Sequence, residues 1–139
     1  MNKQYLIAKT LTGEIVSSTE TILLVDDDKM VLSVNKDLLE SIGYKVHAVG
    51  NGQEAIAVYM KKKDKINLVI LDMIMPGLSG PDTFDRLREI NPSVKVLLSS
   101  GYSINGKVQT IMDRGCNGFI QKPFKLEELS SKVREMLLT

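Results

Sequence analysis

The chain has little that would tie it to a secreted, membrane-bound or disulfide-built protein. Cys116 is its single cysteine, which excludes an internal disulfide and any metal site built from several thiolates. Charge of one sign is not in excess: 18 basic against 17 acidic residues leave a formal net charge of +1. That balance argues against a dedicated binder of nucleic acid or another polyanion. Long apolar runs are missing as well. No stretch approaches membrane-spanning length, and the N-terminus lacks the apolar core of a signal peptide, so a soluble, cytoplasmic protein with no membrane partner is expected. What remains is ordinary globular composition, 43% hydrophobic and 25% charged over 139 residues. This is enough for one domain with a real core, and disorder is not expected.

Periodicity and turn residues divide the chain. Residues 1–20 differ in character from the rest. Tyr5 to Lys9 and Glu14 to Val16 flank Leu11-Thr12-Gly13 as a possible small hairpin, and Ser17 to Glu20 reads as a linker. Residues 21–138 then alternate strand and helix. Strands are expected at Thr21–Val25, Tyr44–Val49, Asn67–Leu71, Val94–Ser99 and Cys116–Gln121. The helices between and after them run from Lys29 to about Ile42, Gln53 to Lys63, Pro81 to Ile90, Ile104 to Arg114, and Leu126 to Leu138. Asp28 is a candidate N-cap for the first helix, in which Met30, Val34, Leu38 and Ile42 recur every fourth residue. Such alternation predicts an α/β fold whose parallel sheet is covered on both faces. Right-handed crossovers with one reversal give a flavodoxin-like doubly wound arrangement, strand order 2-1-3-4-5.

The chain is organised around Asn67-Leu-Val-Ile-Leu-Asp-Met-Ile-Met-Pro-Gly-Leu-Ser-Gly80. A short apolar run there ends on a carboxylate, Asp72, and turn residues follow. The run suits a strand buried on both faces, and Asp72 then stands where open α/β sheets bind their ligands. Other strand ends deliver Asp26 and Asp27, Ser99 and Ser100, and Lys122 followed by Pro123. Carboxylates brought that close cannot all stay ionised without compensation. A divalent cation and a lysine would supply it, and hard oxygen ligands point to Mg²⁺ rather than zinc. The predicted chemistry is phosphoryl transfer, which depends on positioning and charge neutralisation. Asp72 is the nucleophile, and Lys122 and a serine hydroxyl hold phosphoryl oxygens.

Two other readings fit part of the pattern. Gly50, Gly52 and Ala55 match a dinucleotide-binding fingerprint, with Asp72 about 20 residues on. They fall in the second βα unit, however, and leave the acidic triplet and Lys122 unexplained; the glycines read better as turn-formers. Asp26 and Asp28 match the paired aspartates of haloacid-dehalogenase-like phosphatases, but further acidic residues at the fourth strand's end are missing. His47 falls in a strand and reads as a packing or surface residue, not a phosphodonor. Lys61 to Lys65 reads as a solvated helix end suited to the helix dipole.

Four segments, Ile22-Leu-Leu-Val-Asp-Asp-Asp28, Leu71-Asp-Met-Ile-Met-Pro-Gly-Leu-Ser-Gly80, Leu98-Ser-Ser-Gly101 and Gln121-Lys-Pro-Phe124, resemble the signature segments of response-regulator receiver domains. They stand in the family's order, and the resemblance covers roughly residues 21–138. It implies that Asp72 is the phosphoacceptor and that the protein is a signalling module of a two-component pathway, not an enzyme in the turnover sense. It further implies Mg²⁺ held by Asp27, Asp72 and the backbone carbonyl of Ile74, with Asp26 acting through water. Ser100 stands at the switch hydroxyl and Phe119 at the switch aromatic, and Lys122-Pro123 is expected to be cis. Phe119 lacks the hydroxyl that many receivers carry there as tyrosine, so an output relying on that hydrogen bond is absent. Ile74 and Tyr102 occupy positions that tune acyl-phosphate hydrolysis, and this bulky pair is expected to restrict water. The implied partners are a sensor histidine kinase or a histidine phosphotransfer domain, and a downstream protein on the fourth helix, fifth strand and fifth helix. With no room after Thr139 for an output domain, a stand-alone receiver or the terminal part of a hybrid kinase is expected.

Overall fold

The computed structural model describes residues 20–101 and 106–139. The hairpin expected before Ser17 and the residue Tyr102 lie outside that range. The elements follow in order as β1 (Thr21–Val25), α1 (Lys29–Ser41), β2 (Lys45–Val49), α2 (Gly52–Lys62), β3 (Leu68–Asp72), α3 (Gly80–Ile90), β4 (Val96–Ser100), α4 (Gly106–Asp113), β5 (Gly118–Gln121) and α5 (Leu126–Leu138). All strand pairs are parallel, and the sheet order is β2-β1-β3-β4-β5, the flavodoxin-like arrangement that the alternation predicts.

Every residue of β1, β3 and β4 is buried, as continuous apolar runs require when both sheet faces are covered. Alternation then splits the core in two. Leu23, Val25, Val69, Leu71, Val96 and Leu98 face Tyr59 of α2, Phe84 and Leu87 of α3 and Ile111 of α4. Their neighbours Ile22, Leu24, Ile70 and Leu97 face Leu39 of α1 and Val133 and Met136 of α5. From β1 the chain goes to one side for β2 and to the other for β3. The winding therefore reverses between β1 and β3, and a crevice opens beyond their carboxyl ends.

Local chemistry fixes the ends. The Asp28 carboxylate caps α1 by accepting from the N–H groups of Met30 and Val31 at 3.0 and 3.2 Å. Asn51 caps α2 and Ser79 caps α3 in the same way. β4 starts two residues later than the apolar pattern suggests, because the Val94 N–H turns back to Asn91 and the Asn117 side chain takes the Val96 N–H.

The apolar face of α1 corrects the sequence reading. Met30 and Val34 are 77% and 51% exposed, whereas Asn35, Leu39 and Ile42 are buried. A strict four-residue spacing advances about 400° per step, so it drifts off the buried stripe by about 40° each time. Mixed spacing of three and four, through Leu32, Asn35, Leu39 and Ile42, stays on it. Leu39→Ala is accordingly expected to destabilise the protein by about 3 kcal/mol through the cavity it leaves. Met30→Ala should change stability by less than about 0.5 kcal/mol. Urea denaturation of both variants checks this, and the opposite ranking would restore the four-spaced face.

Candidate functional site

Strand parity brings the charged groups together. Asp26 continues the alternation of Ile22 and Leu24, Asp72 that of Leu68 and Ile70, and Lys122 that of Ile120, all on the face covered by α1 and α5. The Asp72 and Asp26 side chains are buried, while Asp27 is exposed. One carboxylate oxygen from each of Asp26, Asp27 and Asp72 lies within 4.8 Å of the others. The Lys122 ammonium donates to Asp26 Oδ2 at 2.6 Å and stands 3.3 Å from Asp72 Oδ1. Its backbone is pinned where its N–H meets the Ser100 carbonyl at 2.7 Å, and the Lys122-Pro123 bond is cis, as expected.

Electrostatics follow from this packing. Burial pushes the Asp72 carboxyl up to about 6 from its ordinary 3.8, with the Lys122 charge pulling it down and Asp26 pushing it up again. Burial works against the charged form of Lys122, yet the hydrogen bond to Asp26 and the charges of Asp72 and Asp26 hold it above the usual lysine range. One ammonium against three carboxylates leaves the cluster short of positive charge. All its donors are hard oxygens within mutual reach, so the residues fit a small divalent cation such as Mg²⁺.

Ser100 and Phe119 belong to the other face. Ser100 continues the parity of Leu98, whose register partner is Phe119, and both pack toward α2, α3 and α4. Ser100 is buried and Phe119 half-buried. Ser99, opposite Asp72 in register, is buried too, and its carbonyl takes the Met73 N–H. The Ile74 side chain is 57% exposed in the β3–α3 loop. Gly80 closes that loop: a Cβ there would meet the backbone oxygens of Asp72 and Met73 at 2.6 Å, so only glycine lets α3 start so close to the acceptor.

The competing patterns find structural roles. Asp28 spends its carboxylate on capping α1 and stands outside the cluster of Asp26, Asp27 and Asp72. A Cβ on Gly52 would come within 2.3 Å of Thr83 Oγ1, and Ala55 is buried in the core. Those residues serve the packing of α2 on α3.

One feature escaped sequence reasoning. Met30 and Val34 of α1, with Pro123 and Phe124, line a groove of about 310 Å³ beside Lys122. Two apolar residues left facing solvent cannot be told from core residues by periodicity alone.

The model of the response regulator receiver domain family matches residues 22–134. The chain belongs to that family. It is 33% identical over 122 residues to the sensor kinase CckA of Brucella abortus, covering 88% of this chain and 13% of that protein. It is 34% identical over 116 residues to the transcriptional regulatory protein CpxR of Escherichia coli K12, covering 84% of this chain and 48% of the relative. The chain thus spans less than half the length of either. Among solved structures, a response regulator receiver domain protein from Clostridium thermocellum superposes with a TM-score of 0.82 at 28% identity, covering 86% of this chain and 94% of that one. The receiver is a phosphoacceptor module of two-component signalling; receiver domains bind Mg²⁺ at an acidic pocket, and this chain has a cluster of three aspartates.

The raised Asp72 value has a consequence for stability. A carboxyl that holds its proton more tightly when folded loses folding free energy as pH rises from its unfolded value toward its folded one. Here that window runs from 3.8 to about 6. In the absence of divalent cations, Asp72→Asn is therefore expected to be more stable than the parent by about 2 kcal/mol at pH 7.5, the scale of a carboxylate freed from burial and like charge. The advantage should vanish near pH 4. Thermal denaturation in EDTA at the two pH values reads the difference; a destabilised Asp72→Asn at pH 7.5 would mean that Lys122 alone neutralises the site.

Proposed function

We propose that Asp72 of this chain accepts a phosphoryl group from a phosphohistidine, on a sensor histidine kinase or a histidine phosphotransfer domain. The observation that carries this is the Lys122 ammonium set between Asp26 and Asp72 at the crevice where the winding reverses. An Asp72 carboxylate oxygen attacks phosphorus in line; the acyl-phosphate P–O bond forms as the P–N bond breaks and the imidazole leaves. Lys122 holds a phosphoryl oxygen and screens the charge gathering there. Asp27, Asp72, the Ile74 carbonyl and, through water, Asp26 would hold Mg²⁺, which when bound neutralises a second phosphoryl oxygen. Ser100 then moves toward the phosphoryl group. Phe119, on the same sheet face, packs into the space it leaves, and the change is read on α4, β5 and α5. The chain is a signalling phosphoacceptor that catalyses its own phosphorylation and slow hydrolysis rather than a turnover enzyme. It acts in the cytoplasm, without direct nucleic-acid contact, and residues 1–20 form an extension to the receiver body at 21–138.

The groove formed by Met30, Val34 and Phe124 borders Lys122 and offers the donor's helix an apolar seat beside the acceptor, a mode of recognition that amphipathic helices use widely.

Intact-protein mass after exposure to a small acyl phosphate tests the acceptor. One phosphoryl group should be added with Mg²⁺, none with EDTA, and none in Asp72→Asn. A phosphatase of the haloacid-dehalogenase type would instead turn over a phosphoester and depend on Asp26 but not on Asp72. Ile74 tests the lifetime. Its exposed, bulky side chain shields the acyl phosphate from water, so Ile74→Asn should shorten the phosphorylated half-life severalfold, and an unchanged half-life would refute that role.

A further inference from the structure

The domain is electrically lopsided although its net charge is only +1. Asp26, Asp27, Asp28 and Asp72 lie at the carboxyl ends of the strands. At the opposite end, α2 runs out into Lys61, Lys62, Lys63 and Lys65, all exposed, and β2 begins at the exposed Lys45. These lysines form one corner. Lys45 and His47 share the sheet face of Val49, which packs toward α2. Burial, with the charge of Lys62 added to it, holds the His47 imidazole below its ordinary value. None of the five lysines takes part in an ion pair among the described residues. Asp64 is the one acidic residue within the run. The helix dipole accounts for Lys61 and Lys62 in the last turn of α2, but not for Lys63, Lys65 or Lys45.

We infer that this corner is a docking surface for an anionic lipid headgroup layer. The chemistry selects that partner. All five cations are lysines, point charges on flexible stems, which do not make the bidentate contacts by which arginine fixes a nucleic-acid backbone or a carboxylate in register. Among the described residues, no exposed aromatic lies next to them in the sequence for bases to stack on. Met60, 63% exposed in the adjoining turn of α2, places an apolar side chain beside the lysines, the pairing that interfacial helices use. A diffuse negative surface attracts such a cluster without demanding geometry. It also repels the acidic end, so the bound domain presents Asp72 away from the bilayer, open to a donor.

Cosedimentation with vesicles reads the interaction. The chain is expected to bind vesicles that contain phosphatidylserine and not vesicles of phosphatidylcholine alone, and raised salt should release it as the charges are screened. Lys61→Gln, Lys62→Gln, Lys63→Gln and Lys65→Gln combined should lower the partition coefficient by more than about tenfold, because each lysine near such a surface contributes on the order of fivefold. All four positions are exposed, and an unchanged circular-dichroism melt will show that the variant is folded. Asp72→Asn should bind vesicles at least as well as the parent. Equal binding to both vesicle types, undiminished binding of the quadruple variant, or binding only to soluble heparin would each overturn the inference. These outcomes are independent of whether Asp72 accepts phosphate, which the mass measurement reads separately.

Discussion

The contact on which the rest of the molecule depends is the Lys122 ammonium held between Asp26 and Asp72. Three carboxylates within 4.8 Å of one another repel strongly, two of them on buried residues. A fold can hold them only by placing a cation among them. Lys122 reaches that place because β5 lies two strands from β3 in the sheet and its backbone is pinned to Ser100. One ammonium is enough to let the domain fold and too little to neutralise the cluster. That remainder is what a divalent cation and a phosphoryl group would meet, so the stability cost of the site and its capacity for phosphoryl transfer have the same origin.

The two faces of the sheet divide the labour. Asp26, Asp72 and Lys122 share the α1 and α5 side, whereas Ser100 and Phe119 share the α2 to α4 side. Chemistry at the crevice and any rearrangement behind it are therefore separated by one strand thickness of close-packed core. Such cores shift between discrete packings rather than deform continuously. The Ser100 carbonyl, which accepts from the Lys122 N–H, ties the charge cluster to the sheet face on which Phe119 packs.

Much of this was legible in the sequence, for identifiable reasons. Strands buried on both faces announce themselves as apolar runs, so β1, β3 and β4 were found, with the start of β4 set two residues early, and the carboxylates and serine stand at their ends. Gly43, Asn51 and Ser79 mark helix boundaries by their backbone or capping chemistry. The face of α1 was misjudged because Met30 and Val34 are as apolar as Leu39 and sit at an acceptable spacing; only their neighbours in space reveal that they face water. The lysine corner likewise depends on neighbours in space. Lys45 lies far from Lys61 in sequence and joins it only once β2 and α2 are folded together. Gly52 read as a turn-former, and the 2.3 Å that would separate a Cβ there from Thr83 Oγ1 adds a packing reason for glycine.

The most direct test follows amide chemical shifts by NMR while beryllofluoride, a phosphoryl mimic, is titrated in with and without Mg²⁺. An acceptor organised by Lys122 predicts saturable, Mg²⁺-dependent shifts at Asp27, Asp72 and Lys122 that extend through Ser100 to Phe119. Absence of binding in the presence of Mg²⁺, or binding that leaves Lys122 and Ser100 unmoved, would contradict it and leave the charge cluster as a structural feature without phosphoryl chemistry.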